Sequence, residues 1–420
     1  MISLVEALNY RCLQYISQHL GSFHILVGPN ASGKTTFLDV ISFLSQLVSI
    51  GLEDAVNERT RNFKDLLWMG TGDRFELAIE ANIPESVAKK FIETRKPFDT
   101  IRYEVSIGLV KETNQTSILE ERVLLKIAKI TEPIQRILFP MIPEFSPSLI
   151  SKGSKNILTV VKKVRGGNDY FQTELLQEKR KGWQYAFKLG TQKSALGNLP
   201  ADETQFPATT WLRNLLVVGV QSIVLNSLLI RKASPPGQGR GFRPDGSNLP
   251  WVIDDLLKKN PSRFNDWIAH LRTALPDIEG IRTIEREDDR HRYLVVKYVG
   301  GLEIPSWVVS DGTLRLLALT LPAYLPDLKG IFLIEEPENG IHPRAAETVF
   351  QSLSSVYEAQ ILLASHSPVI LGIAKAENVL CFAKTSEGAT DIVTGNLHPA
   401  LSEWHGETNL GVLFASGVLG

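Results

Sequence analysis

The chain has 420 residues, of which 43% are hydrophobic, so it can bury a large core and is long enough for two or three domains. Its net charge of −1 excludes a whole-molecule attraction to nucleic acid or to acidic membranes, so a polyanion site would need a local basic cluster. Its two cysteines, Cys12 and Cys381, exclude a disulfide framework and fit a reducing cytosol.

The start of the chain lacks a secretory leader, and no stretch is typical of a membrane span. The most membrane-like stretch, 211–230, carries Arg213 and three amide side chains, so it predicts a buried helix. We therefore expect a soluble, cytoplasmic protein with no membrane partner.

The first chemical motif is the segment 28–36, GPNASGKTT, which fits the phosphate-binding pattern G-x-x-x-x-G-K-[ST]. The flanks predict a buried strand over 23–27 and a helix over 34–50. In such a loop the backbone N–H groups turn onto phosphate oxygens, Lys34 adds a positive charge, and Thr35 offers its hydroxyl to Mg²⁺. The alternative is a glycine-rich turn that binds nothing. The expected nucleotide contacts are Asn30, Ala31, Ser32, Gly33, Lys34, Thr35 and Thr36.

Upstream of this loop, Tyr10 and Arg11 are candidates for a contact with the nucleotide base. A tyrosine ring or a flat guanidinium could stack on adenine, and Arg11 is the residue that we assign to this role. The alternative is an edge-strand tyrosine beside a solvated arginine.

The middle of the chain, 86–299, predicts a mixed strand and helix lobe inserted into a nucleotide-binding core formed by 1–85 and 300–420. Residues 74–83 alternate between apolar and polar, which predicts a half-exposed antiparallel strand. The absence of a long heptad run excludes a coiled-coil arm. Further strands are predicted over 101–109, 118–125, 157–164 and 293–299, and helical stretches over 211–230 and 251–257.

Two basic patches in this lobe are candidates for DNA contacts. The first, within 152–188, interleaves basic and aromatic side chains, which favours phosphate contact plus base stacking; the alternative is a solvated strand face. The second lies in a Pro- and Gly-rich stretch, 231–248, which predicts a mobile loop able to clamp a polyanion. The candidate contacts are Lys162, Lys163, Arg165, Lys179, Arg180, Lys181, Arg231, Arg240 and Arg243.

Paired acids follow a buried strand near the C-terminus. Residues 331–334 are apolar and lead into Glu335 and Glu336, which would lie at the carboxyl end of a parallel strand, where ligands of open α/β sheets bind. One carboxylate could hold Mg²⁺ and the other could orient or deprotonate the attacking water. The alternative is a strand end with two solvated glutamates.

Two more segments belong to the same region. A helix over 344–356 and a strand over 360–364 complete a βαβ unit that presents His366 beside the acids, where an imidazole could hydrogen-bond the γ-phosphate. Just upstream of the acids, Ser310, Asp311 and Gly312 open a helix whose free N–H groups make an anion site. This second anion site need not face the phosphate loop of its own chain.

These motifs, GPNASGKTT, VSDGTLRLLAL, FLIEEPENGIHP and LLASHSP in this order, resemble the ABC-type ATPases of the RecF/SMC/OLD branch, most of all the stand-alone bacterial AAA-21 or OLD-like ATPases. The resemblance covers about 1–85 and 300–380, and DGSNL at 245–249 is similar as well. It implies an α/β fold: an ABC-ATPase head, with a mixed central sheet and an antiparallel β lobe, carrying the inserted α+β lobe.

The resemblance further implies a homodimer in which two heads sandwich ATP and Mg²⁺. Ser310 and Gly312 of a second chain would touch the γ-phosphate, Glu336 would be the catalytic base with His366 beside it, and Glu335 and Thr35 would associate with Mg²⁺. The chain departs from the pattern by having Glu at 335 and by offering no water-sensing glutamine except Gln46, which falls inside a predicted helix. These departures predict slow or partner-dependent turnover.

The motif set and the basic patches favour an ATPase that acts in DNA maintenance or anti-phage defence. OLD-like nucleases carry a TOPRIM domain after the ATPase, but too few residues follow His366 for one, which predicts a separately encoded effector, with a nuclease as one candidate. The apolar segment 410–414 could dock it; the alternative is an interior element. Two other functions stay open: the ATPase subunit of a membrane transporter, and a nucleotide-switched scaffold with little turnover.

Overall fold

The structure, a computed structural model, describes residues 1–91, 98–110, 113, 115–128, 135–142, 147–153, 156–175, 185–402 and 410–415. Its strands are β1 (Ile2–Tyr10), β2 (Leu13–His19), β3 (Phe23–Val27), β4 (Arg74–Asn82), β5 (Thr100–Val110), β6 (Gln115–Lys126), β7 (Leu158–Val164), β8 (Asp169–Phe171), β9 (Tyr185–Phe187), β10 (Val220–Ile223), β11 (Ile278–Glu285), β12 (Arg292–Tyr298), β13 (Glu303–Pro305), β14 (Gly330–Glu335), β15 (Ala359–Ala364), β16 (Val379–Lys384) and β17 (Thr390–Thr394).

The helices are α1 (Lys34–Ser49), α2 (Leu52–Asn57), α3 (Glu85–Ala88), α4 (Pro207–Asn214), α5 (Ser227–Arg231), α6 (Leu249–Lys259), α7 (Pro261–Ala274), α8 (Asp311–Thr320), α9 (Pro343–Ser354), α10 (Pro368–Ile373), α11 (Pro399–Ser402) and α12 (Leu410–Ala415). The chain also contains several short 3₁₀ turns and, directly after α4, a π-helical turn.

The strands form three sheets, and the central one is mixed. Its order is β10-β14-β15-β3-β16-β17, with all neighbours parallel except the last pair. The second sheet is antiparallel with eight strands, β2-β1-β4-β5-β6-β7-β8-β9, and the third is a small antiparallel sheet of β11, β12 and β13. The predicted α/β head, with a mixed central sheet and an antiparallel β lobe, is confirmed.

The strand β3 lies between two apolar cores because its side chains alternate. Leu26 belongs to the core shared with α1 and the eight-stranded sheet, whereas Phe23, Ile25 and Val27 belong to the core shared with α6 to α10. All five residues of β3 are buried, as expected for a central parallel strand. The loop that follows β3 is therefore held by a rigid scaffold.

The segment 86–299 contributes strands to all three sheets. Strands β5 to β9 continue the sheet begun by β1, β2 and β4, β10 forms one edge of the central sheet, and β11 and β12 belong to the small sheet. The predicted lobe is thus continuous with the core through shared sheets. The domain boundaries at 85 and 300 stay a prediction.

Two local expectations are wrong. The stretch 211–230 is not one helix: β10 interrupts it, because Val220–Ile223 pairs with Ile331–Ile334 of β14. The strand β4 is not half-exposed either, since seven of its nine residues are buried. Its polar face lies beneath a strap of residues 147–153, where Leu149 N–H and the hydroxyl of Ser148 donate to Glu76 at 2.6 and 2.8 Å.

The loop 231–248 is fastened by hydrogen bonds, contrary to the prediction of a mobile clamp. Asn248 is fully buried, and its amide donates to the carbonyls of Gly239 and Gly241, at 2.7 Å each. Trp251 Nε1 donates to Pro235 O at 2.9 Å, and Ser234 pairs with Arg292.

None of the helices within the described residues combines the length and the apolar character that crossing a membrane requires.

Candidate active site

The phosphate loop joins the carboxyl end of β3 to the first turn of α1. Gly33 caps this helix without a side-chain hydrogen bond, and the first turn contains no acid, so its N–H groups are available to an anion. Gly33 has φ 110°, and a Cβ there would lie 2.3 Å from Thr390 Oγ1, so only glycine fits. The hydroxyl of Thr390 donates to Ser32 O at 2.8 Å, which ties the loop to β17.

Lys34 is buried at the start of α1. Its Nζ donates to the carbonyls of Gly28 and Pro29 at 2.8 and 2.9 Å. Burial lowers the pKa of Lys34, and the carboxylates of Glu336 and Glu335 oppose that shift. The ammonium is therefore held under the loop, with two acids near it.

Most of the predicted site residues meet in a cleft of about 460 Å³ at the carboxyl ends of β3, β14 and β15. This cleft contains most of the phosphate-loop residues, both acids and the histidine, which lie far apart in the sequence. Its lining consists of Arg11, Cys12, Asn30, Ala31, Gly33, Lys34, Thr35, Thr36, Glu335, Glu336, Ala364, His366 and Lys384.

Glu335 ends β14 and faces the phosphate loop: Thr35 Oγ1 donates to Glu335 Oε2 at 2.5 Å. Hydroxyl and carboxylate oxygens are the hard ligands that Mg²⁺ prefers, and Mg²⁺ in nucleotide sites takes one or two protein oxygens plus phosphate oxygens and water. Within the described residues there is no group of three or more His, Cys, Asp or Glu able to hold a metal. The donor set thus fits a nucleotide-borne Mg²⁺ and not an all-protein metal cage.

Glu336 follows at the surface of the cleft with a left-handed backbone, φ 45°, which is rare for a residue with a Cβ. Its N–H donates to Ala364 O at 2.8 Å, which anchors it to β15, and its carboxylate accepts a hydrogen bond from the amide of Asn339. The turn therefore holds an exposed carboxylate in the lining of the cleft that also contains Lys34 and His366.

His366 follows β15, as expected, and lines the same cleft. Burial lowers the pKa of His366, Lys34 lowers it further, and Glu336 and Glu338 act in the opposite direction. The imidazole is consequently neutral at pH 7 and carries one N–H that can donate to a phosphate oxygen.

The structure separates the two candidates for a contact with the nucleotide base, Tyr10 and Arg11. Tyr10 is fully buried, and its hydroxyl donates to Asp39 Oδ2 at 2.6 Å, so its ring cannot stack on a nucleotide. It packs instead against Phe43 and Phe75. Arg11 lines the cleft and pairs with Asp39 at 3.1 Å, and its contact with a nucleotide base stays a prediction.

The helix-opening segment 310–312 lies outside the lining of this cleft. Ser310 caps α8 by accepting the Thr313 N–H at 3.2 Å, and Asp311 pairs with Arg231, Nη2 to Oδ1, at 2.7 Å. Gly312 packs closely on the turn between β14 and α9, since a Cβ there would lie 2.9 Å from Gly340 O. Within one chain, these three residues do not meet the phosphate loop.

Gln46 cannot act as a water-sensing residue, because it lies more than three helical turns along α1 from Lys34. Its amide group is bonded to Glu58 and Arg59. No glutamine is among the residues that line the cleft in the described part of the chain.

The DNA candidates fare unequally. Lys163 is buried and bonds Asp169 at 2.5 Å, because these residues face each other across β7 and β8; it is not a DNA contact. Arg231 and Arg240 are engaged with Asp311 and Asp255. Three of the remaining candidates have exposed surface, namely Lys162, Arg165 and Arg243. The other three, Lys179, Arg180 and Lys181, lie outside the described residues.

The apolar C-terminal segment forms α12, which packs on α10. Leu410 is buried and Val412 is exposed, so the segment is partly interior. Its use as a docking element stays a prediction.

The sequence motifs did not single out several residues that shape the site. Glu338 bonds the His366 loop, Lys384 and Cys12 line the cleft, and Asp39 joins Tyr10, Arg11 and Arg59. Glu338 lies inside the acidic motif, so its position was visible in the sequence, but its partners come from the loop after β15, almost thirty residues later.

Two family models match the chain. One, described as "AAA domain, putative AbiEii toxin, Type IV TA system", matches residues 166–372, and the other, described as an AAA ATPase domain, matches residues 1–182. No curated protein matches at a significant level.

Among solved structures, two SMC head domains share the fold. A crystal structure of an SMC head bound to the C-terminal winged-helix domain of ScpA has a TM-score of 0.54 and 14% identity, covering 93% of this chain and 97% of that one. The Pyrococcus furiosus SMC head with an extended coiled coil, bound to the C-terminal domain of ScpA, has a TM-score of 0.52 and 12% identity, covering 96% and 98%. At these identities the likeness establishes the fold.

Proposed function

We propose that this chain is an ABC/SMC-like P-loop ATPase, which binds ATP with Mg²⁺ and hydrolyses it in the cleft between β3, β14 and β15. One observation carries the proposal: the phosphate loop, Glu335, Glu336 and His366 line a single cleft, with Thr35 and Glu335 in direct contact.

Each group of the cleft has a role that its surroundings support. The N-terminus of α1 and Lys34 bind the phosphates, with Lys34 exchanging its bonds to Gly28 and Pro29 for phosphate oxygens. Thr35 and Glu335 would hold Mg²⁺, which screens the phosphate charge when bound. Glu336 accepts the proton of the attacking water, and His366 donates to the terminal phosphate.

The hydrolysis test compares wild-type chain with Lys34→Ala and with Lys329→Ala, an exposed lysine remote from the cleft. We expect Mg²⁺-dependent phosphate release by the wild type and by Lys329→Ala, and a loss of nucleotide affinity on the order of 100-fold in Lys34→Ala. Slow wild-type turnover is expected, because no glutamine lines the described cleft. Equal nucleotide affinity in all three proteins would contradict the proposed site.

We further propose that two chains close around ATP, so that Ser310 and Gly312 of one chain complete the cleft of the other. The support is that Ser310 and the N-terminus of α8, which it caps, lie outside the cleft of their own chain. Light scattering should show a dimer for Glu336→Gln with ATP and Mg²⁺ and a monomer with ADP, and Ser310→Arg should prevent the dimer. A mass that ignores nucleotide would refute this step.

The cellular role that we propose is DNA maintenance or anti-phage defence with a separately encoded effector. The description of the matching family names a toxin of a type IV toxin–antitoxin system, and the related SMC heads are bound to a second protein. Affinity purification of the tagged chain with ATP should recover the same effector with wild type and with Glu336→Gln. The effector should be absent with Lys34→Ala. Recovery of an integral membrane protein in its place would favour a transporter subunit.

A further inference from the structure

Glu338 connects the two loops that carry Glu336 and His366. It lies in the turn between β14 and α9, and its Oε1 accepts two hydrogen bonds at 2.8 Å, from the hydroxyl of Ser365 and from the backbone N–H of His366. Its Oε2 is buried and has no hydrogen-bond partner among the described residues. A buried carboxylate oxygen left unpaired is costly, so stability alone does not account for an acid at this position.

The His366 peptide is fixed from two directions. On one side, Ser365 is fully buried and donates its N–H to Leu26 O at 3.1 Å, at the end of the strand that precedes the phosphate loop. On the other side stands Glu338, which is bonded to both Ser365 and His366. The Ser365 hydroxyl also accepts the Ser367 N–H at 3.0 Å, so it belongs to a continuous hydrogen-bonded chain.

We propose that Glu338 is a positioning residue for ATP hydrolysis: by holding the Ser365–His366 backbone, it sets the imidazole of His366 opposite the terminal phosphate, beside Lys34. The inference rests on the proposed function, because it needs ATP in the cleft. A carboxylate suits this role because hydrogen bonds to an ionised acceptor are shorter and stronger than neutral ones, and one oxygen here accepts two donors.

The requirement for placement is strict in such a site. A misplacement of about 1 Å at a reacting group can cost on the order of 100-fold in rate. Glu338 does not line the cleft, so its loss acts through His366 and leaves the phosphate loop with its own contacts. Turnover should therefore fall while the binding of ADP stays intact.

The experiment uses the full chain and compares wild type, Glu338→Ala, Glu338→Gln, His366→Ala and the double variant Glu338→Ala/His366→Ala. We expect Glu338→Ala to lower kcat about tenfold or more, and Glu338→Gln, which keeps an acceptor oxygen, to stay within about threefold of wild type. The double variant should match His366→Ala within about threefold, because residues that act as a unit are not additive.

Binding supplies a second readout that needs no turnover. The ratio of ATP to ADP affinity, measured with fluorescent analogues of both nucleotides, should fall in Glu338→Ala to the value of His366→Ala and recover in Glu338→Gln. Glu347→Ala, which removes an exposed glutamate of α9, should behave as wild type in every assay. Melting curves identify a variant that fails to fold, in which case Glu338→Gln against His366→Ala still decides.

The outcomes separate the two levels of the proposal. An active wild type with unchanged kcat and unchanged ATP to ADP ratio in Glu338→Ala overturns the positioning role and leaves the proposed function standing. Fully additive losses in the double variant overturn it as well. A wild type that binds nucleotide without hydrolysing it removes the turnover assigned above, and the affinity ratio still tests Glu338. A chain that binds neither nucleotide overturns both.

Discussion

Two groups of glutamates in this chain have the same side chain and opposite surroundings. On the eight-stranded sheet, Glu104 and Glu80 are buried and paired with Arg102, at 2.5 and 3.0 Å. At the cleft, Glu335 and Glu336 are exposed, and their hydrogen bonds come from neutral groups, a threonine hydroxyl and an asparagine amide. Carboxylates that are neutralised by buried cations stabilise the fold. Exposed carboxylates with neutral donors keep their charge available for a ligand.

The largest expected effect lies at the cleft. Glu336→Gln should reduce ATP hydrolysis by about 10²- to 10⁴-fold, because it removes the proposed base, while nucleotide affinity and the melting temperature stay near wild type. Phosphate release and nucleotide titration measure the two quantities. Glu358→Gln, at an exposed glutamate outside the cleft, is the matched control. Unchanged hydrolysis would take Glu336 out of the catalytic role.

The sheet should give the complementary result. Arg102→Met leaves the carboxylates of Glu6, Glu80 and Glu104 without their shared cation, and we expect a loss of about 3–5 kcal/mol in unfolding free energy. Urea unfolding measures it. Nucleotide affinity of the folded variant should not change. Arg282→Met removes an exposed pair with Glu303 and should leave the urea midpoint close to that of wild type.

An intermediate effect concerns Glu174, a buried glutamate that bonds the first N–H groups of α4, from Ala208 and Thr209, at 2.7 Å each. Burial raises the pKa of Glu174 from 4.5 to about 7, and these bonds oppose the shift. Between pH 4.5 and about 7, Glu174 is therefore protonated in the folded chain and ionised in the unfolded chain.

The contribution of this proton to stability is complete below pH 4.5 and is lost as the pH rises through about 7. We expect the unfolding free energy of wild type relative to Glu174→Gln to fall by roughly 3 kcal/mol over that window. Urea unfolding of both proteins at several pH values tests it. Parallel pH profiles would show that Glu174 does not titrate in this range.

The smallest expected effect concerns the remaining DNA candidates. Arg243→Ala should weaken binding to duplex DNA a few-fold and lower the salt slope by about one, because an exposed cation near a phosphate releases counterions. Fluorescence anisotropy across a salt series measures both. Arg282→Ala serves as the control. An identical slope in the two variants would exclude Arg243 from the interface.

The sequence predicted what depends on local patterns. The buried strand, the phosphate loop and α1, and the βαβ unit with its acids and histidine, follow from apolar runs, glycines and helix signals over short windows. The fold class followed from four motifs in a fixed order, which the mixed central sheet confirms.

The features that the sequence could not predict depend on burial and pairing by residues that are distant in the sequence. The alternation of β4 correctly indicated a strand, but the strap at 147–153 and Arg102 bury the polar side chains that alternation assigned to solvent. Lys163 looked like a free cation because Asp169, across the neighbouring strand, neutralises it only in the folded sheet. The long apolar stretch 211–230 predicted one helix and so hid β10, whose strand state comes from pairing with β14.

The place of β3 in the central sheet has a consequence for the making of the protein. This strand is translated more than 330 residues before both of its neighbours in the sheet, β15 and β16. Because non-local pairings form only after the whole intervening chain is available, the phosphate loop has no complete scaffold while that intervening segment is being synthesised. A ribosome-stalled chain that ends before Ala359 should therefore not retain ATP, whereas a chain that extends past β17 should gain nucleotide binding in a single step.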